Sequence, residues 1–319
     1  MYKVLDLFCG AGGFALGFQQ AGFKIICGID IDYNAIETYS NNINCELTLN
    51  TDISELHSLD IISEIGKSNL PDIIIASPPC EPYTIANVKR KEDPLARLYD
   101  DPQGRLVLDV IRIIGDLRPK IFIIENVRGL IDDGLIEAIQ YEFKLKGYND
   151  IFFNLLQAEF YGCPSQRKRV FISNIKLNLK RKKITPEQHV INVLPKDSLF
   201  AELPNHEEIA LPYKLERKVH KLKFGQSLVY FPGAPKSNKT FKNWKRLYPY
   251  DIAPTIMGNS RFIHPFEDRA LTVREHALLM SYPNDFIFYG GKYSQYNQVG
   301  ESVPPILSYQ IANYILNYL

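Results

Sequence analysis

Short apolar runs alternate with amphipathic stretches through the first two-thirds of the chain. Val4 to Phe8, Lys24 to Ile29, Asp72 to Ala76, Ile121 to Glu125, Ile151 to Leu155 and Val170 to Asn174 have the length and composition of strands. Between them, Leu106, Val110, Ile113 and Leu117 fall on one face of a helix that closes before Arg118-Pro119. Phe14, Gly17, Phe18 and Ala21 do the same earlier. Strands alternating with helices in this way predict βαβ units and a mostly parallel sheet, hence an α/β fold.

After Asn174 the periodicity weakens, prolines become frequent, and basic and aromatic residues interleave through Phe241-Lys242-Asn243-Trp244-Lys245-Arg246. Helical order returns at Thr272 to Ser281 and at the C-terminus, where Leu307, Ile311, Ile315 and Tyr318 share a face. The pattern predicts a larger domain over 1–175, a smaller lobe of irregular structure over 176–260, and a return to the first domain over 261–319.

Charge sharpens that division. The 319 residues carry a net charge of +1, yet Lys176 to Arg246 holds 16 Lys and Arg against six Asp and Glu, leaving the rest of the chain acidic. A basic segment in an otherwise acidic chain is the footprint of a lobe that meets phosphate backbone; a solvated, lysine-rich surface is the plainer alternative. With 45% hydrophobic residues the chain can bury a full core. No apolar run approaches the roughly 20 residues of a membrane span. The N-terminus enters a strand pattern directly, without the features of a signal peptide, so secretion is not expected. Five widely spaced cysteines without a Cys-x-x-Cys pair signal neither a disulfide framework nor a zinc cluster, and point to free thiols in a reducing cytoplasm. The six histidines are scattered, and no metal is expected.

Four places could carry chemistry. Asp6-Leu7-Phe8-Cys9-Gly10-Ala11-Gly12-Gly13-Phe14 sets a glycine cluster between the first strand and the first helix, where a ligand can approach the backbone closely. Its spacing is Gly-x-Gly-Gly, which argues against a dinucleotide site. About 20 residues on, Asp30 stands where ribose hydroxyls are held, with Asp32 the better candidate for capping the following helix. Thr51-Asp52-Ile53 follows a third strand region, where a carboxylate could accept from an adenine amino group. Lastly, Ser77-Pro78-Pro79-Cys80 ends an apolar run in a stiff turn that would present a thiol to a substrate. A lone cysteine is by default a small buried hydrophobe, so Cys80 takes its meaning from its surroundings.

Those surroundings form an ordered set: Asp6 to Phe14, Ser77 to Cys80, Glu125-Asn126-Val127, Gln166-Arg167-Lys168-Arg169, Ala253-Pro254-Thr255-Ile256, Arg269 to Glu275, and Gly300-Glu301-Ser302-Val303-Pro304-Pro305. In this order they closely resemble the DNA (cytosine-5) methyltransferases, over nearly the whole chain except about Lys176 to Tyr250. The resemblance implies a Rossmann-like S-adenosylmethionine-dependent methyltransferase sheet: 1–175 as the catalytic and cofactor-binding domain, 176–260 as the target-recognition domain, and 261–319 as the return, its C-terminal helix packing beside the cofactor site. It implies S-adenosyl-L-methionine as methyl donor, S-adenosyl-L-homocysteine as product, and a cytosine flipped out of double-stranded DNA as substrate.

Cytosine C5 is too weak a nucleophile to take a methyl group unaided, so the family adds a thiolate to C6. By the resemblance Cys80 is that nucleophile, Glu125 the buried carboxyl that acts at N3, and Arg169 the arginine that holds the cytosine O2, with Arg167 supporting the same loop. Phe8, Gly10, Gly12, Asp30, Ile31, Asp52, Ile53, Pro78, Ser302 and Val303 occupy cofactor positions, with Ile31 expected against the adenine. An ordinary ion pair at a strand end is the bland reading of Glu125 and Arg169. Glu81 to Gln103, with Lys89, Arg90, Lys91 and Arg97, suits a lid over DNA. The implied setting is a cytoplasmic, nucleoid-associated monomer, alone or beside a cognate restriction endonuclease.

Three positions depart from the family's commonest wording: Glu81 for glutamine after the nucleophile, Ser165 for glutamine after Pro164, and Glu301 for asparagine. A tRNA cytosine-5 methyltransferase of the same fold would carry Cys-Phe-Thr, which is absent. An amino-methyltransferase would place an aromatic residue at position 80. A catalytically silent DNA-binding relative would not need Cys80, Glu125 and Arg169 together, and a nicotinamide oxidoreductase leaves Pro78-Pro79-Cys80 without a purpose.

Overall fold

The computed structural model describes residues 1–132, 134–194, 202–233 and 240–319. Contacts divide the chain into two units, one of Met1–Leu156, Lys168–Leu179 and Ser308–Leu319, the other of Gln157–Arg167 and Lys180–Leu307. The boundaries expected at 175/176 and 260/261 differ from this division: most of 261–319 groups with the second unit, as does the short segment before Arg167.

The first unit is built on seven strands, β1 (Lys3–Leu7), β2 (Lys24–Asp30), β3 (Thr48–Asn50), β4 (Ile73–Ala76), β5 (Ile121–Asn126), β6 (Phe152–Gln157) and β7 (Lys168–Ser173), in the spatial order β3-β2-β1-β4-β5-β7-β6. β1 to β5 run parallel, and β7 is antiparallel to β5. Helices α1 (Gly13–Gln20), α2 (Tyr33–Asn42), α3 (Ser58–Ile65), α4 (Pro94–Tyr99), α5 (Leu106–Leu117) and α6 (Leu135–Leu145) connect the strands. A strand covered on both faces has no polar side to show. β4 and β5 accordingly bury every residue, down to Glu125 and Asn126 at the end of β5.

α5 buries Val107, Val110, Ile111, Ile113, Ile114 and Leu117, each contributing roughly 1.5–3 kcal/mol of transfer free energy. It ends at Arg118, in the left-handed region at φ 52, because a residue before proline resists the helical conformation. Phe122 stacks on Phe143 at 4.7 Å, with Tyr148 edge-on to both, joining β5 to α6.

The second unit contains a three-stranded sheet of β8 (Ser227–Pro232), β9 (Thr240–Arg246) and β10 (Phe262–Ile263), ordered β10-β9-β8, with helices α7 (Val190–Val193), α8 (Tyr213–Val219), α9 (Val273–Leu279) and α10 (Lys292–Glu301). This corrects the expectation of an irregular lobe, although 195–201 and 234–239 of the expected recognition region lie outside the described residues. The buried Arg246 ties the sheet's root to the carbonyls of Val219, His264 and Glu267 and pairs with Asp268. The last helix, α11 (Pro305–Ile315), returns to the first unit: Ser308 Oγ donates to the Phe14 carbonyl, and a Cβ on Gly17 would collide with Ser308 at 2.4 Å.

Candidate active site

Strand order already says where a ligand belongs. The chain leaves β1 toward β2 and β3 on one side and later builds β4 and β5 on the other, so a crevice opens outside the carboxyl ends of β1 and β4. The glycine loop follows β1 and the Pro78-Pro79-Cys80 turn follows β4, which sets the two motifs side by side.

The loop needs its glycines. Gly10 and Gly12 have φ of 52 and 94, and a Cβ on Gly12 would meet Ile43 at 2.7 Å. A Cβ on Gly10 would meet nothing within 4 Å, so the loop faces open space there. Asp30 Oδ2 accepts from Gly10 N at 2.8 Å and Oδ1 from Asp32 N at 2.9 Å, so this carboxylate holds the loop in shape. Burial raises its pKa, opposed by these backbone hydrogen bonds. Asp32 caps α2 by accepting from Asn34 N at 2.8 Å, as its spacing indicated.

Ile31 is 65% exposed just past the end of β2, an apolar surface with no place in the core. Asp52 is half-buried and accepts from the backbone and hydroxyl of Ser54. Ile53, by contrast, is 2% exposed and sits among core residues, and its carbonyl accepts from Leu56 N and Arg112 Nη2, each at 3.3 Å. Phe8 is half-buried with φ 55, and Pro78 is buried. Ser302 and Val303 belong to the second unit, where Ser302 Oγ donates to the Val299 carbonyl and Val303 is buried.

Beneath the loop lies Asp6, a group with no role of its own in the sequence analysis. It is 1% exposed; its Oδ2 accepts from Tyr39 Oη at 3.3 Å and its Oδ1 has no hydrogen-bond partner among the described residues. Burial pushes this carboxyl well above the usual range, partly offset by Tyr39 and reinforced by Asp30. The Tyr39 ring in turn fills the space left by Gly12 and Gly28.

The carboxyl ends of β4 and β5 set the turn that carries Cys80 beside Glu125. Ala76 pairs with Ile124, so the turn after β4 runs beside Glu125, and Asn126 Nδ2 donates to the Pro78 carbonyl at 3.1 Å, fixing the turn there. Because β7 is antiparallel to β5, with Glu125 opposite Phe171, its first residues lie at the same end of the sheet. Arg169 Nε reaches Glu125 Oε1 at 3.0 Å, and both side chains are largely buried. Sequence reasoning named Asn126 within a motif but missed its role as the tie between the turn and β5.

The Cys80 thiol is shifted away from reactivity. Burial pushes its pKa up to about 11, the Glu81 carboxylate adds to the rise, Arg169 opposes it, Glu125 adds again, and a hydrogen bond with Thr84 lowers it. The Cys80 carbonyl accepts from Tyr83 N at 3.1 Å and Thr84 Oγ1 at 2.9 Å, so the segment after Cys80 winds into a tight turn.

Arg167, expected to support the loop that carries Arg169, is 1% exposed and donates to the carbonyls of Ile256 (3.0 Å), Gly300 (2.9 Å) and Glu301 (3.2 Å), joining two distant motifs of the second unit. One expectation changes: the basic residues of the 81–103 segment do not all face outward. Arg90 and the buried Arg97 converge on Asp132 Oδ2 at 3.1 and 3.0 Å, while Lys89 and Lys91 are exposed. Arg97 Nε and Nη2 donate to the Lys91 and Glu92 carbonyls, so the segment folds around its own arginine. Ser165 is fully buried, in contact with Cys163 Sγ and donating toward Met280 Sδ, which accounts for a small residue there. Among the described residues no His, Cys, Asp or Glu group could hold a metal ion, and no helix is long and apolar enough to cross a membrane.

A profile of the C-5 cytosine-specific DNA methylases matches residues 2–317. The chain belongs to that family. It is a DNA (cytosine-5) methyltransferase with the fold of the S-adenosylmethionine-dependent methyltransferases. A protein of Methanocaldococcus jannaschii named "Putative type II methyltransferase M.MjaORF1200P" is 41% identical over 99% of this chain and 98% of its own length. The type II methyltransferase M.DdeI of Desulfomicrobium norvegicum is 30% identical over 99% and 89%. Among solved structures, a "putative DNA modification methyltransferase" from an E. coli prophage superposes with a TM-score of 0.78 at 24% identity, covering 99% of each chain. Dnmt2 of S. pombe superposes at 0.67 and 18%, covering 99% of each chain, a likeness of fold alone.

Proposed function

We propose that Cys80, Glu125 and Arg169 carry the chemistry on a cytosine flipped out of a specific duplex sequence. The Glu125–Arg169 pair at 3.0 Å, whose two charges both act on the Cys80 thiol, is the observation that supports this reading most directly. Cys80 Sγ gives up its proton to water and bonds to C6, and the C5=C6 π pair moves onto C5, in conjugation with C4 and N3, leaving C5 electron-rich. Glu125 holds N3 by hydrogen bond or protonation, and Arg169, kept in place by Glu125, donates to O2. Once C5 has taken the methyl group, loss of the C5 proton to water restores the C5=C6 bond and expels the thiolate from C6.

The residues of the glycine loop fit S-adenosyl-L-methionine: open space at Gly10, an exposed apolar Ile31 at a strand end, and the carboxylates of Asp30 and Asp52 nearby. When bound, that cofactor supplies an electrophilic methyl group and leaves as S-adenosyl-L-homocysteine. Phe8, Gly10, Gly12, Asp30, Ile31, Asp52, the Ile53 backbone, Pro78, Ser302 and Val303 are the residues assigned to holding it. The domain roles follow: 1–175 with the end of the chain for catalysis, 176–260 for reading sequence. The enzyme is assigned as a cytoplasmic monomer associated with the nucleoid, alone or beside a cognate restriction endonuclease.

Incubation of unmodified DNA with the protein and S-adenosylmethionine, followed by bisulfite sequencing, tests this reading. Protected cytosines in one sequence context are expected; methylated RNA with no protected DNA cytosine would overturn it. Cys80→Ala should abolish transfer while retaining cofactor binding by calorimetry, and full activity in that variant would overturn the assignment of the nucleophile.

A further inference from the structure

The second unit holds an element that neither the glycine loop nor the catalytic trio uses. β8 and β9 run antiparallel with Val229 opposite Asn243, Tyr230 opposite Lys242, Phe231 opposite Phe241 and Pro232 opposite Thr240. β10 pairs with β9 only at Lys245 and Arg246. From Thr240 to Asn243 the sheet is therefore a two-stranded ribbon.

Successive side chains of a strand point to opposite faces, and the two faces of this ribbon differ in kind. Val229, Phe231, Phe241 and Asn243 are half-buried, the two phenylalanines stacking at 5.8 Å. The opposite face carries Tyr230, Pro232, Thr240 and Lys242, all exposed, with Tyr230 at 56%. Lys242 Nζ lies 5.7 Å from the Tyr230 ring centroid and makes no ion pair with any described carboxylate. A cation held over a tyrosine face keeps its charge while losing part of its rotamer freedom in advance.

The ribbon is also stiff at its root. Asn243 Oδ1 accepts from Trp244 N at 2.9 Å and Arg261 N at 2.7 Å, and its Nδ2 donates to the Asn259 carbonyl at 2.9 Å. These bonds hold Trp244 at φ 53, a conformation that a bulky residue adopts only when its surroundings impose it.

A two-stranded ribbon is one of the few elements that fit the major groove, where a lysine donates to guanine O6 and N7. Duplex DNA complements the basic segment in which the ribbon lies, and a flat apolar partner would leave Lys242 buried without a counter-charge. We propose that the β8–β9 ribbon enters the major groove with its Tyr230 face toward the bases, and that Lys242, steadied by Tyr230, reads a guanine in the recognition sequence. This rests on the reading of the chain as a sequence-specific duplex DNA enzyme. The exposed run Lys180 to Lys183 serves by contrast as a phosphate contact.

The test is bisulfite sequencing of random-sequence duplex DNA methylated by the full chain, comparing wild type with Lys242→Ala, Tyr230→Ala, Tyr230→Phe and Lys180→Ala. Lys242→Ala should lose the preference at one guanine position by about tenfold or more while other positions keep theirs. Tyr230→Ala should weaken the same position, and Tyr230→Phe, which keeps the ring, should preserve it. Lys180→Ala should lower methylation uniformly across sequences. A Lys242→Ala enzyme that methylates every sequence less with an unchanged preference overturns the inference. A wild type that methylates no DNA instead overturns the proposed function, and this inference with it.

Discussion

Glu81 sets a carboxylate one residue after Cys80, and its effect on the thiol is measurable without DNA. Burial and the Glu81 carboxylate hold the thiol at about 11, against an ordinary value of 9.0. At pH 8 about one molecule in a thousand then carries thiolate, compared with about one in ten for an unperturbed cysteine, so alkylation should run about a hundredfold slower. Iodoacetamide labelling followed by mass spectrometry of the Cys80 peptide across pH 7–11 reads this directly, with Cys45, also pushed to about 11, as an internal reference. Glu81→Gln removes the second-largest cause of the rise and should speed labelling, yet leave Cys80 slower than a free thiol because burial remains. The same displacement acts on folding. The folded pKa lies above the unfolded one, so the contribution to stability is constant below about pH 9 and is lost as pH climbs through 11. Labelling of the wild type at the rate of a free cysteine, or a Glu81→Gln variant no faster than wild type, would refute the electrostatic account of this site.

Asp132→Ala should cost about 2–4 kcal/mol, because it strips Arg97 and Arg90 of their shared counter-charge while Arg97 stays buried; hydrogen exchange should rise within 81–103 and little elsewhere. His276 is buried and held down to about pKa 4, chiefly by desolvation. Its folded pKa lies below the unfolded 6.5, so its contribution, on the order of 3 kcal/mol, is present above pH 6.5 and lost as pH falls toward 4. Urea unfolding of wild type and His276→Gln at pH 7 and pH 5 checks this, and an equal pH dependence in both would count against it. A Cβ on Gly129 would lie 2.0 Å from the Tyr83 carbonyl, so Gly129→Ala must displace the turn that follows Cys80. Methyl transfer should fall at least tenfold with cofactor binding retained, the order of loss that a misplaced reacting group brings.

The strands of the first unit were readable because burial on both faces leaves a continuous apolar run: Asp72 to Ala76 and Ile121 to Glu125 each fall within a residue or so of the observed strand. β8 and β9 were not readable, because these half-buried strands carry proline at the end of one, consecutive Lys242 and Asn243 within the other, and one residue at positive φ, which together resemble loop. The same distinction runs through the site. Cys80, Glu125 and Arg169 lie in local motifs whose neighbours in sequence declare them. Arg167 lies in the same motif as Arg169, yet its guanidinium meets carbonyls 89 to 134 residues away. A backbone carbonyl leaves no mark on sequence, so two arginines two positions apart read alike and do different work. Asp132 shows the same blindness from the acidic side, since nothing near it in sequence announces Arg90 and Arg97. What sequence conveys least is the state of a group rather than its identity: the motif around Cys80 marks it as a candidate nucleophile, but that its pKa lies near 11 rather than 9.0 follows only from burial and from a carboxylate one residue away.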